Sequence, residues 1–444
     1  MWGAAVGLAD LTPPGIRYGY VHPATRRLLQ RPLNALTPVE GAAFAAPKHV
    51  QSAGPTDLRC GLVADHLDVG GIGRVVEMLT EGFRGAGVEP VVIVPAVGAR
   101  VGRLHDLGFE VVIAHARSAR AALRDAALDV LQVHSAPAPL LAAALDTGAP
   151  VVPVLHNTEI HYQRPQWRSI TQLFERADAV IAVSELVRSF HRARLPAAVG
   201  DKIVVVPNGA LPMLAATPEV RARARAQLSR VLGIDLDGEV VFACLARYDS
   251  QKNLAGTVVA FLAAADRSEV PVRLVAAGDP SDWLEVKRAD ALRRAHRHGD
   301  RVHLLGNSDA ATLLVASDAF VLDSFFEGWP LATTEAVAAG LPVVVSETGG
   351  AAELVARAPH GSRLVGNPTG PAAAVTDVRA RAARRRAPHQ INREALATAI
   401  AGLAHEVAGG PAGQSAADHS YDEMVTGHAR VVREVRDARA RDSR

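Results

Sequence analysis

The sequence predicts an α/β protein of two domains, each built on a mostly parallel sheet. Three observations carry this. The chain has 444 residues, more than one ordinary core supports. From Leu58 to Val206, short apolar runs alternate with helical or irregular segments, the pattern of βαβ units. The alternation stops at Pro207-Asn208-Gly209 and restarts at Val240, which puts a domain boundary near residues 208–217.

Taken in order, the first 55 residues show no sustained periodicity and carry Pro13, Pro14, Pro23, Pro32, Pro38 and Pro47, so an irregular arm is expected there. Tyr18 and Tyr20 are candidates to pack it onto the body. Leu58–Ala64 reads as the first strand, then a loop from Asp65 to Gly73. A helix follows from Arg74 to Phe83, with Val75, Leu79 and Phe83 on one face. Further strands are expected at Val91–Val94, Val111–Ala114, Val130–Val133, Val151–Leu155, Ala179–Val183 and Ile203–Val206, with a helix at Ser118–Leu128. A charged helix, Pro218–Leu232, leads into a second set of strands: Val240–Leu245, Arg273–Ala277, His303–Leu305, Ala319–Leu322 and Val343–Val345. Residues 368–390 are basic and of low complexity, and read as a solvated surface insertion. Helical spacing returns from Tyr421 to Val435.

Composition excludes several classes. About half the residues are apolar (49%) and 21% are charged, which suits a globular enzyme. A net charge of +2 gives no argument for nucleic acid. The two cysteines, Cys60 and Cys244, imply no disulfide framework and fit a reducing cytoplasm. No apolar run approaches the roughly 20 residues of a membrane span. The N-terminus lacks the basic and apolar regions of a signal peptide.

The most informative stretch is Phe320–Leu354. An apolar strand ends, Glu327 follows in a polar-aromatic turn, and Gly328, Trp329 and Pro330 lead into a helix that carries Glu335. Ligands of open α/β sheets bind at the carboxyl ends of strands. A carboxylate accepts two hydrogen bonds at once and so suits paired sugar hydroxyls. A helix N-terminus beside it suits phosphate. Two isolated glutamates would equally fit a solvated loop and a helix-dipole complement. The context settles the choice: EGWPLATTE, from Glu327 to Glu335, followed by AVAAGLPVV, resembles the E-x7-E signature of retaining glycosyltransferases of family 4, with the GT-B fold.

That resemblance covers about residues 58–435. It implies two Rossmann-like domains facing each other across a cleft: an arm at 1–55, an acceptor-side domain at 56–210, a nucleotide-sugar domain at 211–415, and a final helix at 416–444 returning to the first domain. It places Glu327 on the donor sugar near the reacting carbon and Glu335 on the ribose. Arg247 and Lys252, in ARYDSQKN just after a strand, match the family pair that holds the donor diphosphate. Two cations there would neutralise a leaving diphosphate, and lysine is scarce enough in this chain to make Lys252 notable. Gly70-Gly71 matches a loop touching the same diphosphate, as glycine lets backbone N–H groups come close. His134, after the strand Val130–Val133, matches a histidine at the donor sugar. His156, at the end of the next strand, would face the same cleft. The acceptor is expected on the first domain, with His156 and Arg164 as candidate contacts beside Trp167, Arg168 and Tyr162.

Rival motifs fail on position. Gly71-Ile72-Gly73 begins a dinucleotide fingerprint, but Val76 replaces its third glycine and no acidic residue ends the second strand. Asp235-Leu236-Asp237 imitates a metal-binding D-x-D, but precedes Gly238 as a turn would. No His/Cys cluster has metal spacing, so no metal is expected. Ser184 lacks the flanking glycines of a nucleophile elbow and reads as an N-cap, with Glu185 in the first turn.

The expectation is a metal-independent, cytoplasmic glycosyltransferase. It would move a hexose or N-acetylhexosamine from a nucleotide sugar, UDP-linked in preference, to a hydroxyl on a small or lipid-linked acceptor. The nucleotide sugar is a co-substrate and no cofactor is expected. A membrane-surface patch around Arg188, Arg192 and Arg194 is a weaker reading than a solvated helix face. The alternative is a catalytically silent GT-B protein that binds sugar nucleotides or activates a partner.

Overall fold

Thirteen strands and their intervening helices account for most of the computed structural model, which describes residues 2–12, 16–45, 56–68, 70–408 and 420–442. The chain divides into two units, one of Ala46–Leu211 with His419–Arg444, the other of Met1–Ala45 with Pro212–Asp418.

In the first unit the strands are β1 (Leu58–Val63), β2 (Val88–Val94), β3 (Glu110–Ile113), β4 (Val130–Val133), β5 (Val151–Leu155), β6 (Val180–Ala182) and β7 (Ile203–Val205). They form one sheet in the order β3-β2-β1-β4-β5-β6-β7, and every pairing is parallel. Strands β1, β4 and β5 are buried almost throughout, because helices cover both faces of a parallel sheet. The helix Gly70–Phe83 packs beside β2, and the last helix, Ser420–Asp442, lies against it and reaches β4.

In the second unit the strands are β8 (Val240–Leu245), β9 (Val272–Ala277), β10 (Val302–Leu305), β11 (Ala319–Leu322), β12 (Val343–Ser346) and β13 (Arg363–Val365). Their order is β10-β9-β8-β11-β12-β13, again all parallel. One continuous core joins these strands to the helices Leu254–Ala265 and Arg393–Val407. In each unit the strand order reverses direction once, between β1 and β4 and between β8 and β11. Those two points are where a doubly wound sheet opens a crevice at its carboxyl edge.

Several expectations need correction. The stretch read as an irregular arm carries helices at Trp2–Leu11 and His22–Leu29, the second entered from a π-helical segment at Arg17–Val21. It packs on the helix Trp283–Arg294 of the second unit. Proline did not exclude helix because Pro23 takes a first-turn position, where its missing N–H costs nothing. Tyr20 is exposed instead of packed, and the Tyr18 side chain lies outside the described residues. Residues 13–15 and 46–55 of that stretch lie outside them too.

Residues 368–390 are not a solvated insertion. They contain the helix Asp377–Arg385, whose Arg384 is fully buried against Asp10, Asp282 and Glu285. A run of arginines signals solvation only when no buried carboxylates wait for it. Strand β13 was not anticipated: it is a three-residue edge strand with a half-exposed pattern, too short to show alternation. Asp235 does form a turn, its Oδ1 accepting from the Asp237 N–H at 3.0 Å. Ser184 caps the helix Glu185–Arg192.

Candidate functional site

At the reversal point of the second unit, two loops leave the ends of β8 and β11. The β8 loop is folded by Asp249, whose Oδ1 accepts the N–H groups of Gln251 (2.9 Å) and Lys252 (3.1 Å). Its other oxygen, Oδ2, meets the half-exposed Arg247 guanidinium at 3.1 Å. Asn253 ends the loop in the left-handed region, with φ 49°, and begins the helix Leu254–Ala265.

The β11 loop, Asp323 to Pro330, is tied to the first. The Phe325 N–H donates to the Gln251 carbonyl at 2.9 Å, and the Gln251 amide donates to Phe326 O (2.9 Å) and to Glu327 Oε2 (3.1 Å). Lys252 Nζ donates to Glu327 Oε1 at 2.5 Å. Glu327 is buried, so its charge is met by a cation and an amide and not by water. Gly349 and Gly350 close over this loop. A Cβ on Gly349 would stand 2.4 Å from Gly328 O, and one on Gly350 would stand 2.0 Å from the Trp329 ring, so both must be glycine.

Beneath the loops lies a polar network that sequence reasoning missed. Asp323 accepts the Asn253 amide at Oδ2 (2.8 Å) and the Asn392 amide at Oδ1 (2.8 Å). Asn253 and Gln390 exchange two hydrogen bonds, at 2.9 and 2.8 Å. Burial pushes the Asp323 carboxyl up to about 7, against the pull of hydrogen bonds from Asn392, Ser346 and Asn253. The available signal was a lone Asp immediately after an apolar strand; its partners, some 70 residues away, gave none.

Lys252 and Glu327 therefore meet where β8 and β11 end, and Arg247 is tied through Asp249 to the loop that carries Lys252. Glu335 sits half-buried on the following helix, Leu331–Ala338.

At the reversal point of the first unit, His134 follows β4. Its N–H donates to Val63 O at 3.0 Å, and its neighbour Ser135 donates to Asp65 Oδ1 at 2.7 Å, tying the β1 and β4 loops. The His134 ring is buried, and both its nitrogens are engaged: Nδ1 with His156 Nε2 at 2.9 Å, Nε2 with Gln132 Oε1 at 3.0 Å. Burial, with His156 and His428 nearby, holds His134 well below the ordinary imidazole range. Burial alone brings His156 to about 4. Both rings are neutral near pH 7.

The expected glycine loop is displaced: Gly70 and Gly71 form the first turn of the helix Gly70–Phe83, which starts four residues before Arg74. Gly70 has φ 82° and open space around its Cα, whereas a Cβ on Gly73 would meet Leu67 O at 1.9 Å. Arg164 opens the helix Arg164–Arg176, exposed and with no ion-pair partner among the described residues.

Two doubly wound parallel-sheet units in one chain, each with its candidate residues at the strand-order reversal, define the GT-B fold. The chain belongs to the glycosyltransferases of the family 4 type. The model described as Glycosyltransferase Family 4 matches residues 69–210, and that described as Glycosyl transferases group 1 matches residues 226–395. An alpha-maltose-1-phosphate synthase of Mycolicibacterium smegmatis is 31% identical over 201 residues, 44% of this chain and 50% of the relative. The chain thus spans about half the length of that relative. Among solved structures, a glycosyltransferase from Rickettsia africae superposes with a TM-score of 0.61 at 16% identity, covering 85% of this chain and 98% of the other. HepE of Anabaena, in complex with UDP and glucose, superposes with a TM-score of 0.57 at 18% identity, covering 79% and 98%. Among the described residues, no helix is long and apolar enough to cross a membrane.

Proposed function

We propose that this chain is a retaining glycosyltransferase that moves a hexose or N-acetylhexosamine from a nucleotide sugar, UDP-linked in preference, to a hydroxyl acceptor. The observation that carries this reading is Lys252 held against Glu327 at the crevice of the second unit, with Arg247 on the same β8 loop, paired with Asp249. A sugar diphosphate can divide that pair. Its phosphates take Lys252 and Arg247, and its sugar hydroxyls take Glu327. Glu335 is assigned to the ribose. The anomeric carbon–oxygen bond to phosphate breaks as the two cations meet the departing charge, so no metal is required of the protein. The acceptor oxygen bonds to the same face of that carbon, and its proton passes to the leaving phosphate oxygen. The first unit is assigned the acceptor, through His156 and Arg164. HepE seen with UDP and glucose supports the UDP preference. Cys60 and Cys244 are both free and buried, which supports a cytoplasmic setting.

The test is a thermal-shift screen against UDP-, GDP- and dTDP-sugars, then mass spectrometry of products with hydroxyl acceptors. Glu327→Ala is expected to abolish transfer and keep nucleotide binding. Unchanged turnover in that variant refutes the assignment. A donor that binds but is neither transferred nor slowly hydrolysed by the native protein would favour the silent, partner-activating reading.

A further inference from the structure

Four polar side chains lie in line inside the first unit, and only the outermost reaches toward solvent. His428, on the helix Ser420–Asp442, and Gln132, on β4, are fully buried; His134 is nearly so; His156 is half-buried. Gln132 Oε1 is 3.1 Å from His428 Nδ1 and 3.0 Å from His134 Nε2. His134 Nδ1 is 2.9 Å from His156 Nε2. The three rings are near parallel where they meet: His134 and His156 stack at 5.1 Å, His134 and His428 at 6.3 Å.

The protons follow from the Gln132 amide, which turns its Oε1 to both rings and leaves its buried Nε2 without a hydrogen-bond partner among the described residues. An amide oxygen only accepts, so both nitrogens facing it must carry hydrogen. His428 is then protonated on Nδ1, which leaves its Nε2 bare; that buried nitrogen has no partner among the described residues. His134 is protonated on Nε2, so its Nδ1 holds a lone pair, and the hydrogen of that contact must come from His156 Nε2. A neutral imidazole carries one N–H, so His156 Nδ1 is left with a lone pair. That nitrogen has no hydrogen-bond partner among the described residues.

We propose that Gln132, His134 and His428 are positioning residues, a buried relay that fixes His156 in its Nε2–H form and presents its Nδ1 lone pair to a substrate hydroxyl. Resting on the reading of the protein as a transferase to hydroxyl acceptors, this deepens it. The group that touches the acceptor is His156, and His134 acts through it. The relay also gives the last helix a part in the site, since His428 sets the first hydrogen bond of the line. Burial keeps the line neutral: His428 is brought down to about 3 by desolvation and then by the nearby His156.

The test uses the full chain with 15N-histidine and reads ring tautomers by long-range 1H–15N correlation, which needs no turnover. His134 and His156 are expected as Nε2–H and His428 as Nδ1–H. An Nδ1–H form of His156 overturns the relay. In His428→Leu, the His156 tautomer is expected to become mixed and kcat to fall about tenfold, the low end for an orienting partner, with KM for the donor sugar unchanged. His428→Asn keeps an N–H facing Gln132 and should restore both. Equal losses in the two folded variants, or a parallel change in donor KM, count against the relay. Absence of sugar transfer by the native protein would instead defeat the transferase reading, and the tautomer spectrum would still decide the relay.

Discussion

Lys252 Nζ stands 2.5 Å from Glu327 Oε1 across 75 residues of chain, with the lysine side chain 17% exposed and the glutamate 6%. A pair this dry contributes little net stability, but removing one partner leaves the other buried and uncompensated. The loops that carry them are joined by Gln251 and Phe325 as well, so the pair holds its geometry without ligand.

Lys252→Met is therefore expected to destabilise the protein by about 3 kcal/mol, the cost of an orphaned buried charge. Combining it with Glu327→Gln should return most of that loss, since no charge is then left behind. Urea unfolding of the two single variants and the double variant reads both. A Lys252→Met protein as stable as the native one would show that Glu327 finds water.

Asp323 makes a pH prediction. Its carboxyl is raised from 3.8 to about 7, chiefly by burial. Below 3.8 it is protonated in both folded and unfolded chains and costs nothing. Between 3.8 and about 7 the unfolded chain gives up the proton while the folded one keeps it, so this group's contribution falls as pH rises. Above that window the penalty is constant. Asp323→Asn lacks this slope. The stability difference between native protein and variant should thus move in the variant's favour from pH 4 to 7 and then level. Urea titrations across that range test it, and a flat difference would contradict the assignment.

Arg384 holds the N-terminal helices. It contacts Asp10 and Asp282 at 2.6 Å and Glu285 at 3.2 Å, all of them buried. Arg384→Leu takes from Asp10, Asp282 and Glu285 the buried cation they share, at an expected cost of at least about 3 kcal/mol. Because Asp10 belongs to the helix Trp2–Leu11, that helix should become the first point of cleavage in limited proteolysis. Cleavage elsewhere first, with the helix intact, would show that the apolar contacts of Val6 and Ala9 with Leu284 suffice to hold it.

The sheets were legible because their signal is local. Every strand but β13 announces itself by an apolar run of the right length, and the break at Pro207 marks where one alternation ends. The pairing of Lys252 with Glu327 was half legible: each residue was singled out for the donor, but nothing in the spacing said that they touch. His134 was singled out for direct contact with sugar, yet its ring nitrogens are spent on Gln132 and His156. The arginine-rich segment misled, since composition cannot report that Asp10, Asp282 and Glu285 await Arg384.

By itself, then, the chain's periodicity determined two doubly wound sheets, and the residues at their strand ends picked out the loops proposed to carry chemistry. Only the tertiary structure decided which polar groups meet inside: Gln132 with His428 across 296 positions, Asn253 with Gln390 across 137. The reason is physical. Burial of an apolar face is set by neighbours a few residues away, whereas a buried donor must find whichever acceptor the completed fold brings to it.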